Sequence, residues 1–305
     1  MNIVFMGTPD FAAASLLALI EAGHTISAVF TQPDKPVGRH RVLTAPPVKE
    51  LALKHNIEVF QPETLKDGKA AEILRSLKPE IIAVVAYGKL IPEEILNIPP
   101  LGCINVHGSL LPALRGAAPI QWSVINGEKY AGVTTMYMDK GLDTGDIILK
   151  EKTEIKEGET SGELYERLAP MGAELLLKTV DLLKEGKAER TPQNENESTY
   201  APMLNKEMAV LDFNKNAKEL CSLICGLNPW PVAFTTLDGK RLKVFRAIVS
   251  DKKGEKGTLL DEKRFIVGCS DGSVEFLEVQ IEGSKAQKAD EFLRGKRLAV
   301  GTHFN

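Results

Sequence analysis

Leu101-Gly102-Cys103-Ile104-Asn105-Val106-His107-Gly108-Ser109-Leu110-Leu111-Pro112 is an apolar run that turns polar at its end and is stopped by Gly108, Ser109 and Pro112. Residues 101–106 read as a short buried strand, and strand side chains alternate faces with period two. Asn105 and His107 therefore project from one side at the strand's C-terminal end, the edge where open α/β sheets bind ligands. A neutral amide donor beside a titratable imidazole would suit acyl transfer to a nucleophile that the substrate itself supplies. Asp143, in the turn Gly141-Leu142-Asp143-Thr144-Gly145, is a candidate carboxylate to orient the ring. The residues alone leave a second reading open. Asn and His at a strand end also serve as hydrogen-bonded structure, and Asp before Thr-Gly is ordinary turn chemistry.

Strand-like and helix-like segments alternate on either side of this run. Residues 3–6, 25–31, 59–60 and 80–86 read as strands, and 10–21, 46–55 and 70–77 as helices. A helix over 117–126, strands over 132–138 and 146–154, and a long amphipathic helix over 164–185 follow. Such alternation predicts an α/β fold with a Rossmann-like, doubly wound, mostly parallel sheet. Gly7-Thr8-Pro9-Asp10-Phe11 stands where a dinucleotide fingerprint would, yet the glycine pattern is missing and Pro9 removes an amide that would cradle phosphate. A nicotinamide oxidoreductase is disfavoured.

Residues 186–202 are polar and without periodicity, the signature of a linker. Beyond them comes a helix over 217–227, then short strands over 233–237, 242–249, 257–260, 264–269 and 274–281, with Asp238-Gly239 as a hairpin turn. That spacing predicts a small, OB-like C-terminal β-barrel. The expected organisation is a catalytic domain over 1–189, a linker over 190–207 and a β-barrel domain over 208–305.

Composition narrows the function classes less than the motifs do. The 305 residues are 43% hydrophobic and 26% charged with net charge −3, so no global charge marks a nucleic-acid binder. The distribution is uneven: residues 205–305 hold 17 Lys/Arg against 14 Asp/Glu, and the remainder is acidic. A mildly basic C-terminal part suits a polyanionic partner. Cys103, Cys221, Cys225 and Cys269 follow no disulfide or zinc framework, and no metal site is expected. Residues 1–6 begin a strand at once rather than a leader, and no apolar run reaches the ~20 residues of a membrane helix. A reducing cytoplasm and a monomeric state are the expectation. The segment 31–47 is long for a connection that usually takes 2–6 residues. Its Lys35, Arg39, His40 and Arg41, among Pro and Gly, suggest an irregular basic loop beside the ligand edge.

Asn105-x-His107-Gly-Ser-Leu-Leu-Pro112, Arg115-Gly-Ala-Ala-Pro-Ile-Gln121 and Gly141-Leu-Asp143-Thr-Gly-Asp146 together resemble the folate-dependent formyltransferases. The resemblance extends through residues 6–11, 30–34, 46–49 and 84–88, and into Asn228-Pro229-Trp230-Pro231. It implies that Asn105, His107 and Asp143 are the catalytic trio. It further implies that Ser109, Leu110, Leu111 and Pro112 line the site of 10-formyltetrahydrofolate, the formyl donor, and that Arg39 contacts the acceptor. Because the likeness covers both parts of the chain, it points to the members that formylate methionine on initiator methionyl-tRNA. A formyltransferase for a nucleotide-sugar amine, a folate hydrolase and a non-catalytic RNA-binding protein remain as competing readings.

Overall fold

The apolar run takes its place in a seven-stranded sheet of the computed structural model, which describes residues 1–38 and 41–305. The strands are β1 (Asn2–Gly7), β2 (Thr25–Phe30), β3 (Val59–Phe60), β4 (Ile81–Val85), β5 (Cys103–His107), β6 (Tyr130–Tyr137) and β7 (Ile147–Glu154). Their spatial order is β7-β6-β5-β4-β1-β2-β3. Strands β3, β2, β1, β4 and β5 run parallel, and β6 is antiparallel to β5. Parallel strands covered on both faces need apolar residues at every position. Ile3 to Met6 and Ile81 to Val85 supply them, nearly all with no exposure. The mostly parallel, Rossmann-like sheet expected from the alternation is present, and its parallel strands open their carboxyl ends along one edge.

Packing divides the chain into two compact units, and neither is one continuous stretch. The first comprises Met1–Gly116, Gly132–Lys152 and Tyr165–Tyr200, the second Ala117–Ala131, Thr153–Leu164 and Ala201–Asn305. The polar segment read as a linker is built into structure: Thr191 pairs with Ile147, and residues Glu195–Glu197 form a 3-10 turn. Main-chain pairing and side-chain hydrogen bonds, not periodic burial, tie it down.

Two further local differences have clear causes. Residues 31–47 hold a two-stranded antiparallel ribbon, Lys35–Val37 with Val42–Thr44, where an irregular loop was expected. A two-stranded ribbon is all edge, so it tolerates Pro36. Arg39 and His40 lie outside the described residues. The long helix spans Ser161–Lys184 and starts before residue 164. A capping box sets that start: Thr160 N donates to Glu163 Oε2 at 2.9 Å, and Glu163 N donates to Thr160 Oγ1 at 3.2 Å.

In the second unit, helix Ala217–Gly226 packs against Pro119–Ile125 at close range. A Cβ on Gly226 would stand 2.4 Å from Ile125 Cγ1, so only glycine admits this approach. Strands Phe234–Leu237, Lys240–Ser250, Ser273–Ile281 and Ile266–Gly268 form an antiparallel sheet in that order, with Gln287–Lys288 against Ser273–Ile281. Residues 257–260 continue it by pairing with Ile266–Gly268. The remaining gap is closed by residues 301–305. Leu259 N donates to Thr302 O at 2.9 Å, Phe304 N to Gly257 O at 2.7 Å, and Thr236 N to Asn305 O at 2.7 Å. Residues 282–305 hold the helix Ala289–Lys296 and this closing strip. Phe304 fixes the strip by packing on Phe265 with ring centroids 5.4 Å apart. It is 3% exposed. Phe304→Ala should therefore cost about 3–5 kcal/mol of unfolding free energy, the usual loss for a buried Phe. Urea denaturation followed by tryptophan fluorescence measures it.

Candidate active site

Strand β5 is buried along its length, and its alternation puts Asn105 and His107 on one side as the sequence implies. Both are polar and buried, at 8% and 6% exposure. Buried polar atoms need partners. Asp143 provides one from the 141–145 turn: Asn105 Nδ2 lies 3.5 Å from its Oδ1, and His107 Nδ1 lies 3.7 Å from its Oδ2. His107 Nε2 sits 2.9 Å from the Leu114 carbonyl oxygen. Both ring nitrogens therefore face oxygens. The Asn105 contact is at the limit of a hydrogen bond, which leaves its amide with donor capacity. The structure brings Asn105, His107 and Asp143 together.

The turn that presents Asp143 has little freedom. Asp143 has φ +54°, in the left-handed region that Asp tolerates better than most residues. Gly145 packs so closely that a Cβ would fall 1.7 Å from Tyr137 O. Gly116 N donates to Asp143 Oδ2 at 2.9 Å. Gln193 Nε2 donates to Asp143 O and to Gly145 O, both at 2.8 Å. Gln193 Oε1 accepts from Arg115 Nε at 3.1 Å and Nη2 at 2.9 Å, and Arg115 forks onto Glu195 at 2.8 and 2.9 Å. The Glu195 hydrogen bond raises the Arg115 pKa above its usual value, and Arg115 lowers that of Glu195. Sequence reasoning quoted Arg115 only within a motif and missed Gln193, whose polar neighbourhood shows no periodic signal.

Residues 109–112 form the adjoining turn. Ser109 Oγ donates to Ala113 O at 2.6 Å, and Thr134 Oγ1 donates to Ser109 O at 2.7 Å. Ser109 and Leu111 are buried and shape the turn, whereas Leu110 and Pro112 keep surface to offer a ligand. Farther along the edge, Lys49 Nζ contacts both Asp34 oxygens and Gln61 Oε1 at 2.8 Å. Hydrogen bonds from Gln61 and then Lys49 hold the Asp34 carboxyl below its usual range. At the start of helix Asp10–Glu21, Phe11 N donates to the Tyr165 hydroxyl at 3.0 Å, so that amide is committed within the protein. The four cysteines are buried and free. Burial pushes the Cys103 thiol up to about 12. Among the described residues no group of three His, Cys, Asp or Glu could hold a metal, and no helix is long and apolar enough to cross a membrane.

With this geometry in place, likeness to known proteins decides the family. Residues 1–180 match the family described as formyl transferase, and residues 203–297 match its C-terminal domain. The chain belongs to the formyl transferase family. Within it, a methionyl-tRNA formyltransferase of Lachnospira eligens is 50% identical, covering 99% of this chain and 98% of that protein. One from Ruminiclostridium cellulolyticum is 47% identical, over 99% and 98%. Among solved structures, an N-formyltransferase of Helicobacter canadensis with folinic acid and dTDP-3-aminofucose superposes with TM-score 0.70 at 20% identity, covering 90% of this chain and 98% of that one. HypX of Aquifex aeolicus with tetrahydrofolic acid superposes with TM-score 0.65 at 19% identity, covering 96% of this chain. The match spans about half of HypX, 47% of its length. At such identities these structures establish the fold.

Gly145 gives a direct test of how tightly the site turn is built. Gly145→Ala forces its methyl against the Tyr137 carbonyl and should destabilise the chain by about 1–3 kcal/mol, the scale of overpacking. Thermal unfolding of the variant beside the parent checks it.

Proposed function

We propose that this chain transfers the formyl group of 10-formyltetrahydrofolate to the α-amine of methionine on initiator methionyl-tRNA. The observation that carries the reading is the meeting of Asn105, His107 and Asp143 at the carboxyl edge of the sheet. Relatives about half identical along the whole chain bear that activity in their names. The N-formyltransferase structure above matches at 20% identity, which shows the fold alone.

An α-amine titrates near ~7.7–8.0, and an adjacent ester lowers this, so much of the nucleophile is neutral at pH 7 without a strong base. The folate supplies a formyl group on nitrogen. Bond formation from the amine to the formyl carbon, loss of the carbon's bond to the folate nitrogen and return of one proton to that nitrogen complete the balance. Negative charge gathers meanwhile on the formyl oxygen. Asn105 Nδ2, with donor capacity to spare, serves that oxygen. His107 Nε2–H exchanges the Leu114 carbonyl for it, while Asp143 holds Nδ1 and fixes the ring. Leu110 and Pro112 present the half-buried surface for the donor, shaped by Ser109 and Leu111.

The acceptor RNA falls to residues 208–305, mildly basic, and to Arg39. A guanidinium pairs with phosphate through charge and paired donors. Catalysis is assigned to the first packed unit, which takes in the expected linker as far as Tyr200, the chain acting as a monomer in the cytoplasm.

Mixing the protein with 10-formyltetrahydrofolate and methionyl initiator tRNA should yield formyl-methionine; no product under saturating substrates would sink the reading. Asn105→Ala should lower kcat by ~10²–10³, the scale of a lost oxyanion donor, and Asp143→Ala, which frees the His107 ring, by at least ~10², with the fold retained. Arg39→Leu should raise KM for the tRNA while leaving folate binding intact. Equal activity of Arg39→Leu on tRNA at matched salt would remove Arg39 from the interface.

A further inference from the structure

We propose that Gln193, oriented by Arg115, is a positioning residue for formyl transfer, clamping the 143–145 turn so that the Asp143 carboxylate faces His107. The proposal rests on the role of Asp143 given above. Its first support is the shape of the contact. One side-chain amide donates to the carbonyls of both Asp143 and Gly145 at 2.8 Å, bridging the backbone on either side of Thr144. A turn with Asp143 at φ +54° is not one the chain prefers by itself, so an outside clamp decides whether it persists.

The second support is the fixed direction of that amide. Gln193 Oε1 accepts two hydrogen bonds from the Arg115 guanidinium. Turning the amide over would set its NH2 against N–H donors and its oxygen against two carbonyls. Arg115, 7% exposed, thus ensures that Gln193 presents donors to the turn.

The third support is where the charges go. Arg115 stands near Asp143 and could draw its carboxylate away from His107. Glu195 prevents this by taking the guanidinium fork through both of its oxygens. Asp143 Oδ2 is left to Gly116 N and His107. The same stretch steadies the other oxygen that faces the ring: Thr199 Oγ1 accepts from Leu114 N at 2.8 Å, and Thr199 O accepts from Arg115 N at 2.9 Å. Residues 191–199 therefore hold both partners of His107.

The test compares the full-length parent with Gln193→Ala, Gln193→Glu, Asp143→Ala and the Gln193→Ala/Asp143→Ala double variant, each assayed for formylation of methionyl initiator tRNA and for thermal unfolding. Gln193→Glu keeps the side chain's size and its Arg115 contact but cannot donate to the turn. Both Gln193 variants should lose roughly 10–100-fold in kcat, as for a catalytic group displaced by about 1 Å, with KM for folate and tRNA unchanged. The double variant should be no slower than Asp143→Ala, because the clamp acts only through that carboxylate. Near-parental kcat in Gln193→Ala, a loss confined to KM, or losses that multiply in the double variant would overturn the proposal. So would unfolding of both Gln193 variants, which would make the residue purely structural. A near-parental Asp143→Ala instead overturns the reading of Asp143 on which the clamp depends.

Discussion

An amide and an imidazole buried at the end of an otherwise apolar strand must find partners, and that requirement organises the surrounding chain. An unpaired buried polar group costs about 1–3 kcal/mol by mutational measures. Strand pairing satisfies the main chain of β5 but offers nothing to Asn105 and His107, so their partners arrive from outside the sheet. They are the Asp143 carboxylate and the Leu114 carbonyl. Each sits on or beside backbone in the left-handed region, Leu114 at φ +60° and Asp143 at +54°. Such residues persist only where neighbours over-determine them, at roughly 1–3 kcal/mol each. Gly116 N, Thr199 and Gln193 are those neighbours.

The carboxyl edge of the sheet is unevenly committed. Near β2, the charges of Lys49 and Asp34 are closed on each other and on Gln61, and Gln61 Nε2 also donates to Gln32 O at 2.8 Å. Near β1 and β4, Thr8 Oγ1 and Gln32 Nε2 both donate to the Tyr87 carbonyl. These contacts anchor the base of the Lys35–Val37 ribbon. At β5 the donors are less fully used, with Asn105 held only at 3.5 Å. The strand end at His107 thus keeps donor capacity at Asn105, on the same side as the buried imidazole.

Much of this was legible in the sequence. Apolar runs bounded by Gly and Pro betray buried parallel strands, and the period of two alone puts Asn105 and His107 on one side. Asp143 is different: no spacing links a turn 36 residues beyond His107 to the end of β5, so only the motif pointed there. Gln193 was hidden for a related reason, since a side chain that acts across a gap of 50 residues leaves no local pattern. The capping box at Thr160 and Glu163 is a readable local signal, and it places the helix start at Ser161, ahead of the first strongly periodic residue, Leu164. Closure of the antiparallel barrel by residues 301–305 was beyond reach. Main-chain pairing is nearly blind to side-chain identity, and Phe304 is the only large apolar residue that marks the strip.

The interleaving of the two packed units has a consequence for synthesis on the ribosome. Pro119–Ile125 emerges early, yet the helix it packs against, Ala217–Gly226, is translated roughly 100 residues later, about 5–20 s at ordinary elongation rates. Through that interval Trp122 and Ile125 have none of the later-made side chains of their hydrophobic cluster to cover them. The first half of the chain thus waits, already made, for the side chains that complete its cluster. The close fit at Gly226 ends the exposure only when the second unit's own helix is in place.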